Sequence, residues 1–95
     1  MELSEQKLAE IEEWARALYS PREIAIILHL DPDALREEIE DERSEAYQRF
    51  HRGRLISEGI IRKSIFDLAE NGSSTAQGLA LKLIEEAKIY ELIGK

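Results

Sequence analysis

The sequence predicts an all-α chain, in which an N-terminal helix-turn-helix three-helix unit precedes a long antiparallel helical hairpin. Three observations carry this. The composition favours helices, with two prolines and five glycines in 95 residues and 35% of them charged. The stretch Tyr19 to Leu35 reads as two short helices joined by a tight turn. Beyond residue 43, two long apolar-rich stretches flank Asn71-Gly72-Ser73-Ser74, a polar break with a strong helix-stop signal. The pattern divides the chain into a helix-turn-helix domain over 1–42 and a hairpin over 43–95.

Ser4 caps a first helix, along which Leu8, Ile11, Ala15 and Leu18 form one stripe at spacings of three and four. Trp14 broadens that stripe and is expected in the core, and Tyr19 closes the helix. Ser20 then caps a second helix over about Pro21–Leu28, with Pro21 at the first helical position and Glu23 placed to reach back to the cap. Ile24, Ala25 and Leu28 give it an apolar face, and the small Ala25 allows close crossing. His29 stands at the turn position where glycine is common, so a left-handed backbone is expected there at some cost. Asp31 caps a third helix over about Pro32–Glu40, carrying Ala34, Leu35 and Ile39.

Glu38–Ser44 is an acidic knot that ends the third helix as a solvated hinge, and Ser44 caps the next. The fourth helix is expected over about Glu45–Glu70, near 40 Å at about 1.5 Å per residue. Its first half holds Arg49, Arg52 and Arg54 interleaved with Tyr47 and Phe50, and Gly53 is a candidate kink. Two readings stand for this segment: a strand-binding patch of arginines and aromatics, or inward-packed aromatics with the arginines paired to the acidic knot. Its second half is apolar on more than one side, as is the last helix over about Thr75–Leu92. Ile56, Ile60, Ile61, Ile65, Leu79, Leu83 and Ile84 are therefore the candidate contacts between copies of the chain, because one hairpin cannot cover two broad faces.

The net charge is −7, unevenly spread. Residues 1–42 hold thirteen acids and four bases, residues 43–63 two acids and six bases, and residues 64–95 five acids and three bases. Phosphate neutralisation supplies most non-specific DNA affinity, so an acidic chain must rely on local patches or on many weak patches in array. The absence of cysteine removes disulfides and thiolate sites. His29 and His51 are not at ligand spacing, so no metal or cofactor is expected. No nucleophile elbow, phosphate loop or ligand pair argues for catalysis, and the chain reads as a non-enzyme. The lack of a long apolar run or a signal-like N-terminus points to an intracellular protein without membrane contact.

Ser20-Pro21-x-Glu23-Ile24-Ala25-x-x-Leu28-x-Leu30-Asp31, then a long helix, Asn71-Gly72-Ser73-Ser74-Thr75-Ala76-Gln77 and a further helix, together resemble the small terminase subunits of tailed bacteriophages. The likeness is one of layout and spans nearly the whole chain. It implies a protein of the bacterial host cytoplasm that recognises viral double-stranded DNA for packaging, forms a homo-oligomer through its hairpin and serves a large terminase subunit. The candidate DNA contacts are Arg22 and Arg36 with Lys7 and Arg16, and, as a second patch, Arg49, Arg52 and Arg54. The third helix departs from the pattern, since Asp33, Glu37 and Glu40 share its exposed face with Arg36. The alternatives are a dimeric helix-turn-helix transcription regulator and a protein-interaction module that does not bind DNA.

Overall fold

The structure, a computed structural model, describes residues 1–94. It is all-helical, with α1 (Glu5–Arg16), α2 (Pro21–Leu28), α3 (Pro32–Glu40), α4 (Glu45–Glu70) and α5 (Ser74–Ile93). Two compact units result, Met1–Ser57 and Glu58–Lys95. The division falls inside α4 and not after residue 42, because the first half of α4 supplies core to the N-terminal unit. Gly53, the candidate kink, lies inside α4, which continues through it as helix.

Each helix starts on a side-chain cap. The hydroxyls of Ser4, Ser20 and Ser73 and the carboxylate of Asp31 accept the backbone N–H three residues on. Ser20 and Glu23 complete a reciprocal capping box, with the Ser20 N–H donating to Glu23 Oε1 at 2.9 Å. Ser44 accepts the Tyr47 N–H at 3.0 Å and donates to the carbonyl of Glu38, so it ties the end of α3 to the start of α4.

Three helices stop in the same way, on a left-handed residue. After α1 it is Leu18 (φ 72°), after α2 His29 (φ 59°) and after α4 Gly72 (φ 98°). In each case the following N–H reaches back to an orphan carbonyl: Tyr19 to Trp14 at 3.2 Å, Leu30 to Ala25 at 2.9 Å and Ser73 to Leu68 at 3.1 Å. The Trp14 and Tyr19 rings meet edge to face at 5.6 Å, the apolar contact that accompanies this stop. Leu18, expected in the core stripe of the first helix, instead lies beyond α1 and is 54% exposed. The stop turns its side chain away.

The N-terminal unit has a continuous core of Leu8, Ile11 and Ala15 from α1, Ile24, Ala25 and Leu28 from α2, Leu35 and Ile39 from α3, and Ala46 and Phe50 from α4. Trp14 packs against it, half-buried. In the second unit the residues buried among those described are Ala76 and Ala80, with Ile65, Ala69 and Leu83 half-buried. Large apolar side chains there stay in solvent, Leu68, Leu81 and Ile89 among them.

Candidate functional site

The seven candidate cations are all in the N-terminal unit, and most are already engaged. Lys7 donates from Nζ to the Leu28 carbonyl at 3.3 Å, where it satisfies the C-terminal end of α2. Arg16 and Arg36 each pair one turn back, with Glu13 at 3.9 Å and Asp33 at 3.7 Å. Such exposed pairs are weak and leave the guanidinium free to reach another anion. Arg22 is exposed and forms no ion pair with the described residues.

Arg49, Arg52 and Arg54 behave differently. Arg49 donates from Nε to Glu12 Oε1 at 2.7 Å and from Nη1 to Glu5 Oε2 at 2.8 Å. The hydrogen bonds that Arg49 donates to these two acids, Glu5 first, raise its pKa above the usual arginine value. Arg52 shares Glu12 at 3.4 Å. Arg54 lies over the Phe50 ring, 4.8 Å from its centroid, and donates from Nη2 to the Tyr19 carbonyl at 2.9 Å. The basic segment is thus a clasp holding α4 to α1 and to the turn that follows it. The acidic knot is not the arginines' partner. Its own arginine, Arg43, closes on Asp41, whose carboxyl is held below the usual aspartate range chiefly by the Arg43 backbone N–H at 3.0 Å.

Gly53 explains how the clasp closes. A Cβ there would collide with the Glu12 carbonyl oxygen and lie 3.0 Å from Ala15 Cβ and 3.2 Å from the Arg16 nitrogen. Only glycine lets α4 come this near the α1 backbone. Spacing along the chain gave no sign of Glu5 and Glu12 as partners, since they lie 44 and 37 residues from Arg49.

Around the clasp, the outer side of α4 carries an open hollow lined by Tyr47, Gln48, Arg49, His51, Arg52, Leu55 and Ile56. The Tyr47 and His51 rings sit 4.4 Å apart within it. Phe50 points the other way, into the core.

The candidate contacts between copies lie in the second unit and at its edge. Ile60, Ile61, Leu79 and Ile84 are 55%, 53%, 44% and 41% exposed, while Ile56, Ile65 and Leu83 are half-buried. No group of three or more metal-ligating side chains occurs among the described residues, and none of their helices is long and apolar enough to cross a membrane. Comparison of the chain with known protein families, curated proteins and solved structures finds no match.

Proposed function

We propose that this chain is an oligomeric, non-enzymatic recognition subunit of the kind its sequence resembles, a small terminase subunit-like protein that gathers weak DNA contacts by assembling. The observation that supports assembly is the second unit, whose buried core among the described residues is two alanines while leucines and isoleucines stand in water. Patches of this kind on a soluble chain mark interaction sites. Arg22, Arg36 and Arg16 remain as the DNA contacts, and the 1–57 unit around them carries fourteen acids against eight bases. One copy would therefore bind DNA poorly, and linked copies would multiply a small affinity. A large terminase subunit is the partner the resemblance implies.

A second reading has its own support. With Arg49 and Arg54 held in the clasp, the chain fits a protein-interaction module without nucleic-acid affinity. The two separate by titrating the assembled protein with duplex DNA across a salt series. The DNA reading expects binding that weakens with salt and a shallower slope for the Arg22→Ala, Arg36→Ala double variant. Absence of salt-dependent binding would establish the interaction module.

A further inference from the structure

The outer face of α5 carries a pattern that matches itself when reversed. Ala76, Ala80 and Leu83 share the covered side of the helix at spacings of four and three. Leu81, Glu85, Lys88 and Leu92 follow at i, i+4, i+7 and i+11 on a different side, with Ile84 and Ile89 flanking them. Leu81 is 63% exposed and Leu92 85%, and Ile84 and Ile89 are 41% and 55% exposed. Glu85 and Lys88 are exposed and pair with no described residue.

We infer that α5 docks antiparallel on α5 of a second copy, about a two-fold axis between Glu86 and Ala87. In that register Leu81 lies opposite the second copy's position 92, another leucine, and Glu85 opposite its position 88, a lysine. The two-fold repeats both contacts, giving two leucine layers outside two Glu–Lys pairs, with the isoleucines along the flanks. A parallel arrangement in register sets Glu85 on Glu85 and Lys88 on Lys88, and polar pairs of this kind fix helix orientation. The second unit suits a copy of itself as partner, because its six acids and five bases leave it nearly neutral. The N-terminal unit, with its excess of acids, would repel its own kind.

The inference deepens the assembly reading and rests on it. An isologous contact closes a dimer. Larger assemblies need a second contact, for which Ile60, Ile61 and Leu68 on α4 stay exposed. A one-helix contact is also far smaller than the roughly 20–30 residues a side of a standard interface, so dimerisation is expected to depend strongly on concentration.

Charge swaps test the register. Sedimentation of the full chain from about 1 μM to 1 mM, a span that covers weak association, gives the dimer constant, with far-UV circular dichroism confirming that each variant stays helical. Glu85→Lys and Lys88→Glu each turn two attractive pairs into two repulsive ones, and each is expected to weaken the homodimer about tenfold or more. The double variant Glu85→Lys, Lys88→Glu restores complementarity and is expected to recover wild-type association. Mixing the two single variants is expected to give heterodimers. Homodimers of unchanged affinity in either single variant, or no recovery in the double variant and the mixture, would overturn the α5 register while leaving assembly through another face intact. A wild-type chain that is monomeric throughout would overturn both.

Discussion

Two glycines of α4 have opposite roles. Gly53 sits where any Cβ would press into the α1 backbone, whereas an added Cβ at Gly59 meets nothing within 4 Å. Alanine is the better helix former by about 1 kcal/mol, so Gly59→Ala is expected to raise stability by roughly that amount. Gly53→Ala is expected to lower it by about 1–3 kcal/mol, because overpacking outweighs propensity. Urea denaturation of both variants checks the pair. At the helix stops the strain runs the other way. Leu18 holds a left-handed conformation that costs a non-glycine residue about 1 kcal/mol, and its side chain is mostly in solvent. Leu18→Gly is therefore expected to leave the melting temperature unchanged or raised, against the usual outcome of truncating a leucine. Asp41 titrates low because the Arg43 N–H stabilises its charged form. A carboxyl lowered in the folded state contributes stability above its unfolded pKa and loses it as pH falls through the folded value. Asp41→Asn is accordingly expected to flatten stability loss below about pH 4, measurable by denaturation at a series of acid pH values.

At the scale of elements, caps and the clasp decide how the N-terminal unit is built. Ser20 begins α2 with a reciprocal pair of hydrogen bonds to Glu23, and Ser20→Ala is expected to cost about 1 kcal/mol. The ion pairs between α1 and α4 bring together residues distant in the chain, with Glu12 shared by Arg49 and Arg52. A double-mutant cycle of Arg49→Ala with Glu12→Ala is expected to show coupling in thermal stability. If the two losses simply add, the clasp is a surface contact without mutual support. DNA affinity per assembled copy should not change in Arg49→Ala, since that guanidinium already has two carboxylates.

For the whole molecule, the uneven distribution of core is the governing fact. Ten buried apolar residues hold the N-terminal unit, while the second unit buries two alanines among the described residues. Local stability follows buried apolar contact. Amide exchange over Glu58–Gly94 is thus expected to be fast in dilute solution and to slow as concentration rises, while exchange in α1–α3 stays constant. Concentration-independent protection of α5 would show that the unit holds itself without a second copy.

The sequence by itself determined the helical class, the caps at Ser4, Ser20, Asp31 and Ser44, and the stops at His29 and Gly72. These are local matters, settled by hydrogen bonds within a few residues, so side-chain identity and spacing suffice. The excess apolar surface of the last two helices was legible too, because a hairpin covers only one stripe of each. Only the tertiary structure decided that the core of the first unit extends into α4, that Leu18 leaves its stripe, and that Gly53 is a contact point against α1. It also decided the partners of Arg49, Arg52 and Arg54. Charge spacing along a helix shows which side chains share a face, but the anion that meets them is set by how α4 crosses α1, and that crossing depends on a glycine whose neighbour is a backbone far away in the chain.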